Sequence, residues 1–286
     1  NLAVAQSNNG NDVYVIVPNM ESTFFNTNLA NAPYKIIKPI KNSFSFVEKI
    51  SMTKYSVDWI LEKQIEFFQR KYNFDLWHFN LLGPNNLKAA RVISNLGIPT
   101  IGTFRGGDIQ VYPEVNYGLR REKSFNNLIK NNIHKFNFLT AISSSIKEEY
   151  IKLGVDTNKI TIIPNFIDLK RYQNNPYDYK SERLKLSWPL KKKIILTVGR
   201  NHPKKGYKYI PEIVKHLAKE YENFLWVLVG KESEKILDEA RILGVQSYIR
   251  IEPEVRADQS LDLIDNMPQK KIIDMYKNAD IFCFPS

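Results

Sequence analysis

The stretch TVGRNHPKKG, residues 197–206, follows the run KKKIIL and precedes YKYIPEIVKHLAKEY. An apolar strand that breaks into a short basic loop and then opens a helix is half of a parallel βαβ unit. Arg200 is the first residue past the strand, and Lys205-Gly206 lies at the start of the predicted helix. Backbone N–H groups at a helix N-terminus, together with the helix dipole, attract an anion. Arg200 adds a planar fork that can grip two phosphate oxygens, Lys205 adds a point charge, and Gly206 lets the backbone approach closely. A solvated basic turn is the other reading of the loop. Its spacing departs from the G-x-x-x-x-G-K-[ST] of a Walker A loop, and the chain has no G-x-G-x-x-G dinucleotide fingerprint.

The same rhythm runs outward in both directions. Upstream, strands are expected at 12–18, 34–40, 74–80, 98–104, 135–143 and 159–167, with helices at 56–73, 85–97, 116–133 and 144–154. Ser145 and Glu148 have the spacing of a capping box for the last of these helices. The first residues, NLAVAQSNNG, read as the tail of a helix stopped by Gly10. Downstream, strands are expected at 194–199, 223–230, 247–251 and 280–286, with helices after Gly206, at 233–244 and at 270–279. Residues 168–193 are polar, carry two prolines and show no clean period, so they read as a link. This gives an α/β protein of two Rossmann-like domains with parallel sheets: 1–170, a linker at 171–193, and 194–286. Open sheets of this kind bind ligands outside the carboxyl ends of their strands, so two in tandem are expected to face a cleft.

Composition narrows the partners. The 286 residues carry a formal net charge of +11 and a sequence pI near 9.4. That balance suits polyanions: nucleic acid, an anionic membrane face or phosphorylated substrates. The chain lacks long Arg/Lys tracts, zinc-finger spacing and aromatic-basic RNA motifs, so nucleic acid is not expected as a partner. A single cysteine, Cys283, excludes an internal disulfide, fits a reducing compartment and reads as a buried structural thiol. No apolar stretch reaches the ~20 residues that span a bilayer, and the start lacks the pattern of a signal peptide. A cytoplasmic protein is expected, with peripheral contact at the inner membrane face as an option. RREKSFNNLIKNNIHK (120–135) offers Arg120, Arg121, Lys123, Lys130 and Lys135 for that contact, with a solvated helix face as the alternative. No D-x-D metal motif stands out; Asp262-Leu263 begins a DLI run in an acidic stretch that reads as loop.

Four further segments fall in a recognisable order: DLWHF (75–79), PTIGTFRGGDI (99–109), AISSSIKEEYIKLGVDTNKITIIPNFIDLKRY (141–172) and ADIFCFPS (279–286). With TVGRNHPKKG, they resemble the retaining glycosyltransferases of family 4, also called glycosyl transferases group 1, whose two Rossmann-like domains face a cleft (the GT-B fold). The resemblance implies transfer of a sugar, with retention, from a nucleoside-diphosphate-sugar donor to a saccharide or lipid-linked acceptor, in cell-envelope polysaccharide or glycolipid synthesis, without metal or other cofactor. It places Arg200 and Lys205 on the donor's diphosphate as the catalytic cations, with Gly199, Gly206, Pro285 and Ser286 completing the donor site and Lys204 as a bystander. On the acceptor side it points to His78, Arg105, Gly106, Gly107 and Asp108. Arg105 stands where the family usually has His, and either a substrate phosphate or a salt bridge with Asp108 could occupy it. Asp108 reads as a turn cap or a base, and Ser143, Asn165 and Asp168 as structural. The family's first strand and its glutamate-bearing segment after Pro-Ser are expected outside these 286 residues, leaving the C-terminal domain incomplete. A non-catalytic nucleotide-sugar-binding fragment or scaffold is the alternative function, and a sugar-nucleotide epimerase a third.

Overall fold

A computed structural model describes residues 2–16, 32–37, 54–167, 169–173, 178–255 and 268–285. Asp168, Ser286 and the 262–264 run lie outside the described residues, as do 17–18 and 38–40 at the ends of the first two expected strands. The chain divides into two compact units, one built on residues 36–167 and the other on 168–286, with the first 35 residues shared between them. Helix α1 (Leu2–Asn8) ends where Gly10, at φ +87°, turns the chain. Strand β1 (Tyr14–Ile16) pairs with β2 (Lys35–Ile37).

The unit built on residues 36–167 carries a parallel sheet in sequential order: β3 (Trp77–Asn80), β4 (Thr100–Phe104), β5 (Phe138–Ala141) and β6 (Ile160–Ile162). Its connecting helices are α2 (Lys54–Tyr72), α3 (Pro84–Asn95), α4 (Lys123–Asn132) and α5 (Ser144–Lys152). Period-two alternation in β3 buries Trp77 and Phe79 and leaves Asn80 exposed. Gly102 lacks a side chain because a Cβ there would lie 2.8 Å from Leu139 Cδ2. The helix expected from 116 starts only at Lys123. Gly118 takes φ +106° and passes so near Gln110 that a Cβ would stand 2.0 Å from its carbonyl oxygen, a close approach that ends the helical path. The cap of α5 is Ser143, whose Oγ accepts from Ile146 N–H at 3.4 Å, whereas Ser145 Oγ bonds Ser143 Oγ at 2.9 Å. The capping residue therefore sits two positions before the one expected from the sequence.

In the unit built on residues 168–286, α6 (Lys170–Gln173) and α7 (Tyr179–Lys185) precede a second parallel sheet. Its strands are β7 (Lys193–Val198), β8 (Phe224–Val229), β9 (Ile249–Glu252) and β10 (Ile281–Phe282), interleaved with α8 (Ile210–Glu220), α9 (Leu237–Ile242) and α10 (Lys270–Asn278). The order across the sheet is β10-β7-β8-β9. Every residue of β8 is buried because helices cover both faces. Trp226, Leu228 and Ile195 pack with Tyr207, Ile210, Val214 and Ala240 on one face; Val227, Val229 and Leu196 pack with Ile272, Met275 and Trp188 on the other.

The polar stretch read as a link is ordered from 178 onward by one buried cation. Arg183, 1% exposed, donates to the carbonyls of Pro189 (3.2 Å), Lys192 (2.9 Å) and Asn278 (3.0 Å) and to Asp280 Oδ2 (2.5 Å), with Tyr179 stacked 4.3 Å away. Trp188 Nε1–H donates to the buried Glu252 carboxylate at 3.1 Å. A polar segment pinned through arginine–carbonyl bonds has no apolar period to display in sequence. Arg183→Ala is expected to cost about 3 kcal/mol or more, as removal of one partner of a buried pair does. Urea unfolding measures this; a loss under about 1 kcal/mol would mean that Arg183 does not hold the stretch.

Candidate functional site

Strand order in the second sheet reverses at β7. The chain moves from β7 to β8 and β9 on one side, then returns to place β10 on the other, in register Ile281 with Ile195 and Phe282 with Leu196. Open α/β sheets bind ligands at the carboxyl ends of the strands that flank such a reversal. Residues 199–206 leave β7 there and Cys283, Phe284 and Pro285 leave β10. They meet: Lys205 Nζ lies 4.5 Å from the centre of the Phe284 ring, and a Cβ at Gly199 would stand 3.3 Å from that ring. Gly199, Lys205, Gly206 and Pro285 are thus brought to one strand edge, with Arg200 exposed beside them.

The loop is built from tight turns. Residues Pro203–Lys205 form a 3-10 turn capped by His202, whose Nδ1 accepts from Lys204 N–H at 3.2 Å. Gly206 ends it at φ +67°, a conformation that favours glycine. A second 3-10 turn, Tyr207–Tyr209, leads into α8, so the helix begins at Ile210, later than the sequence suggested for Lys205-Gly206. Tyr207 O–H donates to Gly199 C=O, and Gly230, at φ +145°, passes so close that a Cβ there would lie 2.0 Å from the same oxygen.

Positive charge gathers in this loop. Among the described residues neither Arg200 nor Lys205 has a carboxylate within ion-pair distance. Burial, then Lys205, pushes the Lys204 ammonium below its ordinary value. Burial, then Arg200, Lys204 and Lys205, does the same to His202. A group of cations that depress one another is relieved by a bound anion. Lys204, expected as a bystander, contributes to that field.

The first unit brings His78, Arg105, Gly106, Gly107 and Asp108 together at the carboxyl edge of its own sheet, behind β3 and β4. Asp108, 1% exposed, is a turn cap: Oδ1 accepts from the N–H groups of Arg105 (2.8 Å) and Gly106 (2.9 Å), and Oδ2 from Leu82 N–H (3.0 Å). Burial raises its pKa against the effect of these bonds. The Arg105 guanidinium makes no salt bridge to it, contrary to one expectation, and donates instead to Asn80 Oδ1 at 3.0 Å and to Asn165 Oδ1. His78 Nε2 and Thr103 Oγ1 are 2.8 Å apart, and burial, then Arg105, lowers the His78 pKa. Asn80 and Phe284 escaped the sequence reading; the signal was their place at strand ends beside the residues that were found.

The proposed membrane patch loses Arg120, while Arg121 stays exposed. Arg120 is largely buried and bonds Glu149 Oε2 (3.0 Å), Asn126 Oδ1 (3.0 Å) and Ile109 C=O (2.8 Å); Arg121 donates to Asn116 C=O at 3.0 Å. Lys123 and Lys130 stay exposed and Lys135 is half-buried. Cys283, expected in the core, is half-buried. Among the described residues no helix is long and apolar enough to cross a membrane.

Comparison with known proteins matches residues 1–171 to the Glycosyltransferase Family 4 model and 178–286 to that of Glycosyl transferases group 1. TuaC of Bacillus subtilis (strain 168), named for a role as a teichuronic acid biosynthesis glycosyltransferase, is 31% identical over 150 residues. That alignment takes in 52% of this chain and 36% of TuaC, so the chain matches just over a third of that relative's length. A glycosyltransferase from Rickettsia africae superposes with TM-score 0.69 at 19% identity, over 100% of this chain and 67% of the other. HepE from Anabaena, in complex with UDP and glucose, superposes with TM-score 0.64 at 15% identity, over 99% and 69%. These likenesses fix the fold as α/β with two Rossmann-like parallel sheets, of the GT-B class. With one family model covering more than half its length and its companion most of the rest, the chain belongs to glycosyltransferase family 4.

Proposed function

We propose that the protein transfers a sugar from a nucleoside-diphosphate-sugar donor to a saccharide or lipid-linked acceptor, with retention at the anomeric carbon and without a metal. The observation that carries the reading is the convergence of Gly199, Arg200 and Lys205 with Phe284-Pro285 at the reversal of strand order. The complex of HepE with UDP and glucose supports it, as does the pathway named for TuaC.

In this reading the bond between the anomeric carbon and the diphosphate oxygen breaks as negative charge grows on the leaving group. Arg200 supplies a fork and Lys205 a point charge to that developing charge. The cation of Lys205 is steadied against the Phe284 ring. Lys204 adds to the field. The acceptor oxygen enters on the face the diphosphate leaves, and the acceptor proton passes to a departing phosphate oxygen, so no side-chain nucleophile is used. Cell-envelope polysaccharide or glycolipid synthesis is the proposed setting, on the cytoplasmic side. Arg121, Lys123 and Lys130 are the exposed residues offered to an anionic membrane face.

A panel of nucleotide sugars, read by release of nucleoside diphosphate, tests the activity. Lys205→Ala and Arg200→Ala are each expected to lower turnover about 10²-fold; unchanged turnover in both would remove the loop from the mechanism. Binding carries a pH signature as well. His202 sits below its ordinary value of 6.5 because burial and cations disfavour its charged form. A bound diphosphate offsets those cations and raises it, so binding takes up protons, and this contribution to affinity grows as the pH falls toward the free protein's His202 pKa. His202→Asn keeps a capping acceptor and removes the titration. Calorimetry in buffers of different ionisation enthalpy should show less proton uptake in His202→Asn than in the parent; equal uptake would exclude His202.

A further inference from the structure

We infer that Arg105, held between Asn80 and Asn165 at the carboxyl edge of the β3–β6 sheet, recognises an anionic group, a carboxylate or a phosphate, on a saccharide substrate. Three features of the first unit lead there. The guanidinium is exposed yet fixed in direction by two neutral acceptors, Asn80 Oδ1 at 3.0 Å and Asn165 Oδ1, which orient the fork without cancelling its charge. The carboxylate nearest in sequence, Asp108, is buried and spends its oxygens on the N–H groups of Leu82, Arg105 and Gly106. Among the described residues no other carboxylate pairs with the guanidinium.

The result is a cation with its position prepared and its partner supplied from outside. A planar guanidinium with N–H donors left over binds carboxylate or phosphate through two parallel bonds, and prior anchoring lowers the entropy lost on binding. A residue serving only to tie β3 to the segment after β6 would need no charge. His78, half-buried and bonded to Thr103, has its pKa lowered by burial and then by Arg105, which disfavours a second positive charge beside the guanidinium. The inference rests on the glycosyltransferase reading only in calling the ligand a substrate.

The test is a set of ligand-observed NMR titrations with glucose, glucuronate, glucose 6-phosphate, UDP and GDP, on the parent protein, Arg105→Gln and Arg105→Lys. The parent is expected to bind glucuronate, glucose 6-phosphate or both at least about tenfold more tightly than glucose, the size of one charge-assisted bond. That preference should weaken with added salt, shrink in Arg105→Lys and vanish in Arg105→Gln, with nucleotide affinity changed less than about threefold. Preference for glucuronate alone assigns a carboxylate, for glucose 6-phosphate alone a phosphate. No preference in the parent, or one that survives in Arg105→Gln, overturns the inference. So does loss of nucleotide binding in Arg105→Gln, which would place Arg105 on the diphosphate. Absence of nucleotide binding in the parent would count against the proposed function and leave the acidic-sugar comparison to be read on its own.

Discussion

The attachment of β10 to β7 is the constraint on which the second unit depends. Asp280 holds it: its backbone N–H donates to Ile194 C=O at 2.9 Å, and its carboxylate accepts from Ile194 N–H at 2.7 Å, from Arg183 and from Lys193 Nζ at 3.2 Å. Burial alone would push this carboxyl up, and the bonds outweigh it, leaving the pKa below the ordinary value. Three residues further on, Thr197 Oγ1–H donates to Cys283 C=O at 2.6 Å. Only with β10 fixed beside β7 does strand order reverse, and the reversal is where an open α/β sheet takes a ligand. Arg183 therefore serves the site at a distance, through the carboxylate that positions the strand.

Two kinds of side chain shape the basic loop itself. Glycines permit close approach: Gly230 lets β8's exit pass against Gly199, and Gly206 supplies the left-handed turn after Lys205. Arg200 and Lys205 supply a field with no carboxylate beside them, and the two stand within one short loop. Several exposed lysines elsewhere pair locally with carboxylates three or four residues away, as Lys185 does with Glu182 and Lys270 with Asp274. Arg200 and Lys205 have no such neighbour among the described residues, and Arg105 repeats the pattern in the first unit with asparagines in place of acids. Charge without a counter-ion at a strand edge is what an anion-binding protein must keep in reserve.

What the sequence could reveal follows from the range of the interactions involved. Apolar period marked the buried strands and amphipathic helices, because alternation along β3 and the unbroken run FLWVLV of β8 are local signals of which faces are covered. The motif order brought out the basic loop after β7 and the TFRGGD turn. Contacts between residues distant in the chain left no such trace. Arg183 meets Asp280 across 97 positions, and Trp188 meets Glu252 across 64, so the polar stretch before β7 looked like a link. Gly118 looked like an ordinary helix residue because its reason, the Gln110 carbonyl, lies on the other side of a turn. Arg105 and Asp108 are three apart and of opposite sign, which suggested a salt bridge; the backbone N–H groups that claim Asp108 carry no signature in composition.

The central claim is that the reversal at β7 and β10 holds the donor's diphosphate. Diffraction from crystals of the protein soaked with a nucleoside diphosphate addresses it most directly. Phosphate density is expected within hydrogen-bond distance of the Arg200 guanidinium and Lys205 Nζ, beside Gly199 and Pro285. Diphosphate bound elsewhere, with Arg200 and Lys205 still facing solvent, would contradict it.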